Sequence, residues 1–472
     1  IVPQLRQKSS NFYHMVASGA KGKDSQLQQL VSAPGVLLDS KDRAIPVPVK
    51  NSYAEGLTTS DYFIASYGVR KGMMDRALQT SRPGALNKDI IATAVDNIIT
   101  MDDCGTKKGA SLSLDKPSDL YDRYLASDQG GFRRNTIVTP QMISAFKQKG
   151  IKSINVRSPL GCIAPKGTCA HCFGINEHGH KVEIGDNVGV TAGQAMSERV
   201  TQMTMQTFHT GGIAGAKSVG GFSRVKQLLS MPKYVAGEAA LASIGGKITK
   251  IEKSSAGGHV IHIGDQKVTS RPGHTLKFGV GDKVEAGDAL TDGVIKPQSL
   301  AKYKGMEKAQ EYITDQLQKT YADQGVDMHR KMFETVVRSL ANNTKVIEAP
   351  KHTNLLPGDL IPYTLAKHYN ESRRVSVPVD EASGYTLEHP VGKLPAMHEL
   401  TDNDISYLKS AGYRGSIQVL KDPLRHEPVL KSISELPMLR KDWMSQLGYQ
   451  KIKQGLTEGA AQNWKSNVEG AN

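Results

Sequence analysis

The sequence predicts an α+β, multidomain chain in which a long helical segment, a cysteine knuckle and a small β unit follow one another. Three observations carry that expectation. Apolar residues recur at helix-like intervals from Asp61 to Thr100, three of the four cysteines crowd into CIAPKGTCAHC, and residues 233–298 break into short, glycine-bounded alternating runs. A chain of 472 residues has room for about three or four separate cores. Lys and Arg outnumber Asp and Glu by 60 to 46, a net charge of +14 spread along the chain rather than gathered in a tail. Such a surface expects a polyanion, most often nucleic acid. No apolar run approaches the ~20 residues that span a bilayer, and no secretory leader opens the chain, so a cytoplasmic location without membrane contact is expected.

Residues 1–60 are mixed: NFYHMVASGAKGKDSQLQQL reads as a helix interrupted by Gly19 and Gly22, then extended chain. Over 61–100, Tyr62, Phe63, Met73, Leu78, Ile90, Ile91, Val95 and Ile98 mark a helix, about 55 Å long if continuous at ~1.5 Å per residue. Gly72 and the Pro83-Gly84 pair oppose continuity, and two helices joined by a turn at RPG is the equal alternative. Arg70, Lys71, Arg76, Arg82 and Lys88 make this segment basic.

Residues 101–184 hold the cysteines. Cys169 and Cys172 are separated by two residues, Cys162 and Cys169 by six, and Cys104 in DDCGT is the fourth thiol of the chain. A Cys-x-x-Cys turn with two further thiolates supplies a tetrahedral Zn²⁺ site, which makes Cys104, Cys162, Cys169 and Cys172 the candidate ligands. A redox pair of Cys169 and Cys172 is the alternative, but no strand-to-helix redox context surrounds it.

Residues 185–232 suggest a helical hairpin. In VTQMTMQTFHTGG, the residues Gln202, Met205, Gln206 and His209 fall within roughly 100° on a helix. The segment GGIAGAKSVGG that follows brings five glycines, which free the backbone. An ordinary helix whose methionines fill core gaps remains the plain reading of these residues alone. After the β unit at 233–298, residues 299–425 return to helix as far as about 345 and then become irregular and rich in Pro and His. Residues 426–472 read as helical and basic, with Arg440 and Lys441 among the charges. No phosphate-binding G-x-x-x-x-G-K-[ST], dinucleotide glycine fingerprint, H-E-x-x-H, nucleophile elbow or D-x-D-x-D cluster occurs.

Taken in order, these motifs resemble the C-terminal part of the largest (β′) subunit of bacterial-type multisubunit DNA-directed RNA polymerases. SGAKGKDSQLQQL resembles the family's F-loop, and YFIASYGVRKGMMDRALQTSRPGAL its bridge helix. DDCGT with CIAPKGTCAHCFG is similar to its second zinc site, and TQMTMQTFHTGG to its trigger loop. Residues 233–298 resemble the jaw, a small sandwich-barrel-like domain, and EPVLKSISELPMLRKDWMSQLGYQKIKQGL the switch-like C-terminal stretch. The resemblance implies a nucleotidyltransferase subunit in which Met205 packs on the incoming base, Gln202 lies near the sugar, and His209 with Gln206 lies near the phosphates. It further implies that Lys21, Arg70, Arg76, Gln79, Thr80, Arg82, Arg440 and Lys441 face substrate or nucleic acid. Structural Zn²⁺ would be held by this chain, and catalytic Mg²⁺ by aspartates of a partner chain. The implied partners are the N-terminal part of β′, β-like chains, a promoter-specificity subunit, DNA template, RNA product and nucleoside triphosphates.

The chain departs from the family pattern in places. Gln206 stands where the family has Arg, Lys21 replaces the F-loop Arg, and Arg76, Gln79 and Arg82-Pro83 alter the bridge-helix pattern. The family's NADFDGD metal motif is missing from this stretch, and no large insertion follows the trigger-loop-like segment. That combination resembles the split β′ subunits of giant-bacteriophage polymerases, acting in the cytoplasm of the infected host or packaged in the virion. A plastid chain and a truncated bacterial β′ are the alternatives. A non-catalytic, zinc-containing nucleic-acid-binding protein on the same fold is the competing functional class.

Overall fold

The computed structural model describes residues 11–439 and 452–463, except 19, 23, 40–42, 80, 209–219, 236, 255–256, 265, 351, 389–390, 392, 395–396 and 414. In chain order the N-terminal helices are α1 (Asn11–Ala17), α2 (Asp24–Val31), α3 (Thr59–Gln79) and α4 (Ser81–Ala94). The cysteine region follows with β1 (Ile99–Met101), β2 (Ala110–Ser113), α5 (Pro140–Gln148), β3 (Ser153–Val156), β4 (Thr168–Cys169) and α6 (Ala170–Phe173). Next come α7 (Val188–Phe208) and α8 (Gly220–Ser230), then strands β5 (Gly246–Lys253), β6 (His259–Ile263), β7 (Gln266–Thr269) and β8 (Lys283–Val284). Helices α9 (Pro297–Lys304), α10 (Met306–Asp323) and α11 (Arg330–Leu340) lead into a last group of short strands and helices.

Two compact units divide the chain. One comprises residues 1–89, 194–226 and 320–327, the other residues 90–193, 227–319 and 328–472. In the smaller unit Tyr321 is buried and its hydroxyl donates to the Met196 carbonyl at 3.1 Å, anchoring the middle of α7. A Cβ on Gly221 would meet the Gln324 side chain at 2.9 Å, so α8 starts where only glycine fits without displacing Gln324. Along α3 the apolar side chains Tyr62, Phe63, Tyr67, Val69, Met73 and Met74 are exposed, while Ala65 is buried.

The helical pattern over 61–100 is described as α3 up to Gln79 and as α4 from Ser81, with residue 80 outside the described residues. Pro83 and Gly84 lie within α4. The helix ends at Ala94, and residues 99–100 belong to strand β1, so the helical segment is shorter than 61–100 at its far end.

The larger unit is built on several small cores. One packs Leu114, Leu120, Leu125, Val138, Met142, Ile143, Phe146, Ile154 and Val156, with Phe132 edge-on to Phe146 at 5.3 Å. A second belongs to the four-stranded antiparallel sheet β7-β6-β5-β8, where Ile261 and Ile263 alternate inward with Ile248 and Val284. That alternation is the period-2 signature of a half-buried strand. Residues 346–425 are not irregular as expected from their Pro and His content. They contribute strands to two three-stranded antiparallel sheets, in one of which Val375 and Val377 pair with Val419 and Ile417. Strands this short and this polar on one face carry too little alternation to stand out in the sequence.

Helix α11, RKMFETVVRSL, lies in the stretch expected to be helical, and its burial is the unexpected part. Ten of its residues are buried, including Arg330, Lys331, Glu334 and Arg338. Charged groups survive such burial only when paired or hydrogen-bonded: Arg330 pairs with Glu334, while Lys331 and Arg338 donate to backbone carbonyls. Glu334, fully buried, accepts from Arg123 Nη1 at 2.7 Å, Arg330 Nε at 3.0 Å and Ser158 Oγ at 2.9 Å. Arg330 also reaches Asp315 at 2.6 Å and Gln318 at 3.1 Å. His329 caps the helix: its Nδ1 accepts from the Lys331 amide at 3.1 Å while Nε2 lies 3.0 Å from the Tyr121 carbonyl. Only the neutral tautomer with its proton on Nε2 serves both contacts. Burial, then the neighbouring Arg123 and Lys331, hold the His329 pKa down to about 3.

Candidate functional site

The four cysteines come from three segments that the backbone draws together. Strand β1 pairs in parallel with β4, Ile99 opposite Thr168 and Met101 opposite Cys169, which carries the DDCGT loop alongside the knuckle. The knuckle turns at Gly167, whose φ is +57° and whose Cβ would lie 2.1 Å from the Ile98 carbonyl oxygen. Any side chain there would push β1 away from β4. Cys172 sits in α6, one turn beyond Cys169.

The donor atoms of Cys104, Cys162, Cys169 and Cys172 all lie within 4.8 Å of one another, and the last three side chains are buried. Cys104 Sγ is 3.8 Å from Cys172 Sγ. A tetrahedron with Zn–S bonds of about 2.3 Å has edges of about 3.8 Å, so the spacing fits that ion. Backbone amides complete the arrangement: the Cys169 N–H donates to Cys162 Sγ and the Cys172 N–H to Cys169 Sγ, both at 3.4 Å. His171, inside the knuckle, points elsewhere, with Nδ1 2.8 Å from the Asp102 carbonyl.

The electrostatics say the same thing. Contacts with Cys162, then Cys169 and Cys172, hold the Cys104 thiol far below its ordinary range. Burial first, then the other three sulfurs, pushes Cys172 well above it. Four thiolates this close cannot all ionise without a cation among them, and their spacing could hold a divalent metal.

Two buried arginines frame the cluster, and sequence inspection missed both. Arg157 is 0% exposed and donates to Cys172 Sγ at 3.4 Å, Cys104 Sγ at 3.5 Å and Cys169 Sγ at 3.6 Å. The same guanidinium reaches Asp103 Oδ1 at 2.5 Å, the Thr106 carbonyl at 3.2 Å and Asn135 Oδ1 at 3.2 Å. Burial opposes its charge, but the Cys172 and Asp103 partners outweigh burial and raise its pKa. Arg338, from α11, donates to the carbonyls of Gly167, Pro159 and Cys162 at 2.8 Å each and of Ala164 at 3.0 Å. It grips the loop between Cys162 and Cys169 from the backbone side. A signal was present: Arg330, Glu334 and Arg338 recur every four residues along one face of an otherwise apolar helix.

Among the remaining predicted positions, Lys21 lies exposed in a bend after α1, Arg70 is exposed on α3, and Arg82 is exposed on α4. Arg76 and Gln79 belong to α3, and Gln202, Met205 and Gln206 to α7; their side chains lie outside the described residues. Thr80, His209, Arg440 and Lys441 are themselves outside the described residues. Among the described residues no helix is long and apolar enough to cross a membrane.

Residues 56–256 match the family described as RNA polymerase Rpb1, domain 5. The DNA-directed RNA polymerase subunit beta' of Alkaliphilus oremlandii is 32% identical over 434 residues, covering 88% of this chain and 36% of that protein. The corresponding subunit of Moorella thermoacetica is 35% identical over 440 residues, 88% of this chain and 37% of its own length. That of Acetivibrio thermocellus is 35% identical over 376 residues, 74% and 32%. The chain thus spans about a third of the length of these relatives.

Proposed function

We propose that this chain is the C-terminal β′ part of a multisubunit DNA-directed RNA polymerase, and that it works only within that assembly. The observation that carries the reading is the similarity to beta' subunits over 88% of the chain. The cysteine quartet, at the place where the resemblance puts a zinc site, supports it. In this reading α3 and α4 form the bridge helix, and α7 with α8 forms the arms of the trigger loop. Residues 233–298 form the jaw.

Each group has a physical task. Cys104, Cys162, Cys169 and Cys172 hold Zn²⁺, which supplies folding free energy to residues 101–184 rather than chemistry. Met205 offers a soft apolar face to the incoming base, Gln202 a hydrogen-bonding group to the sugar, and His209 a donor beside the phosphates. Folding of the loop over a matched nucleotide expels water and fixes the triphosphate, so a poor fit leaves the site unassembled. Lys21, Arg70, Arg76 and Arg82 contribute positive potential toward nucleic acid, joined by Gln79 and Thr80 and, nearer the C-terminus, by Arg440 and Lys441. Catalytic Mg²⁺ is held by aspartates that lie outside this stretch. The partners are the remaining β′ portion, β-like chains and a promoter-specificity subunit, in a split phage-type enzyme that works in the host cytoplasm.

The second reading, a non-catalytic zinc-containing nucleic-acid-binding protein, draws on Gln206 in place of the family's arginine. Primer extension separates the two. The complex copurified from the native source should extend a primer, and the chain alone should not. A preparation that binds nucleic acid, brings no partner and never extends would establish the second reading instead.

A further inference from the structure

Charge at the cysteine cluster does not balance with the ion alone. Four thiolates and one divalent cation leave a formal −2 in a pocket where Cys162, Cys169 and Cys172 are at most 3% exposed. The nearest counter-charge is Arg157, itself 0% exposed and within 3.6 Å of three of the four sulfurs. Asp103, at the solvent edge of the pocket with 27% of its side chain exposed, accepts from Nη2, the same nitrogen that faces Cys104 and Cys169. Arg338 touches the same loop through four carbonyl contacts and no described sulfur contact.

We propose that Arg157 is a positioning residue of the metal centre: its N–H groups draw electron density from three bound thiolates, making them poor nucleophiles and keeping the metal from exchanging. The inference rests on the reading of the four cysteines as ligands. Charged N–H donors are stronger than neutral ones, and a planar fork serves several acceptors where an ammonium serves fewer. A thiolate stripped of these donors is the more reactive species toward electrophiles and oxidants. Arg157 therefore acts on sulfur chemistry, whereas Arg338 acts on loop shape.

The test uses the full chain loaded with zinc and, separately, with cobalt. R157K, R157Q and R338Q are compared with the unaltered protein. Two quantities are followed: zinc release to a chromogenic chelator during alkylation by N-ethylmaleimide, and the energy of the sulfur-to-cobalt charge-transfer band. R157K and R157Q should release zinc roughly ten- to hundred-fold faster, the range seen when outer partners of metal ligands are removed. Their cobalt band should move to lower energy as the sulfurs become better donors. R338Q should speed release without moving the band. An unmoved band in both Arg157 variants, or an equal movement in R338Q, would overturn the proposal. Should R157Q not fold, R157K and D103N, which weakens the acceptor that competes with the sulfurs for Nη2, decide the matter by the band alone. Absence of bound metal in the unaltered chain would instead overturn the ligand assignment on which the proposal stands.

Discussion

Replacing Glu334 with Leu probes a fully buried charge of the larger unit. The substitution keeps most of the volume of the side chain and removes three accepted hydrogen bonds, two of them from guanidinium groups. Arg330 retains Asp315, which is half exposed. Arg123 retains only the carbonyls of Asp119 and Arg157, and its Nη2 has no partner even in the intact protein. The dominant cost is therefore one buried cation left without a counter-charge, about 3–5 kcal/mol. At about 1.36 kcal/mol per power of ten, opening of α11 should become more frequent by roughly two to three and a half powers of ten. Amide hydrogen exchange across Arg330–Leu340 reads that change directly. The double variant Arg123→Met with Glu334→Leu removes both charges, so it should cost less than Glu334→Leu alone. Acid titrates the same interaction. Burial would raise the Glu334 pKa, but Arg123 and then Arg330 outweigh it, leaving the folded value below the ordinary 4.5. Its contribution is complete above that ordinary value and is lost as pH falls through the folded one. Acceleration of exchange by less than about tenfold in Glu334→Leu, or additive costs in the double variant, would refute the reasoning.

Cys169→Ser should release the metal and loosen residues 101–184, because binding free energy at such a site is folding free energy; metal analysis that still finds one equivalent would count against the quartet. His329 is neutral in its cap, so protonation is disfavoured in the folded state; protection at the start of α11 should be full above pH 6.5 and decline as pH falls from there toward about 3, measured by exchange at stepped pH. His329→Asn, which keeps a capping acceptor, should flatten that dependence. In the reconstituted complex, His209→Ala should slow nucleotide addition by about ten- to a thousand-fold, the scale of positioned donors, while leaving template affinity within about twofold; stopped-flow extension against filter binding tells the two apart. Template binding should weaken steeply with salt as counterions are released, and a flat titration between low and physiological salt would rule out a phosphate-lined surface.

What was legible in the sequence follows from range. Ligand thiols announce themselves because cysteine is rare here and the Cys169–Cys172 interval is a single helical turn, so three of the four donors were readable as a local pattern. Strand β6 was readable for the same reason, since HVIHI alternates on its own. Arg157 was not, because an arginine beside a short strand usually faces water. Its burial depends on Asp103 and Cys104, more than fifty positions earlier. The burial of helix α11 was not legible either, because its charged face turns inward through the distant partners Arg123, Asp119 and Ser158.

The Arg338 clamp has a bearing on biosynthesis. The carbonyls it grips belong to residues 159–167, so about 170 residues of chain separate the knuckle from the side chain that fixes its shape. On the ribosome all four thiols emerge long before α11 does. During that interval the cysteines can meet a metal with a floppy loop and bind it reversibly, and the wrong ion can still leave. Synthesis of α11 then closes the loop over whichever ion is present. A nascent chain halted before residue 330 should accordingly exchange its metal freely, and one extended beyond residue 340 should not, which makes metal selection a matter of translation timing as well as of affinity.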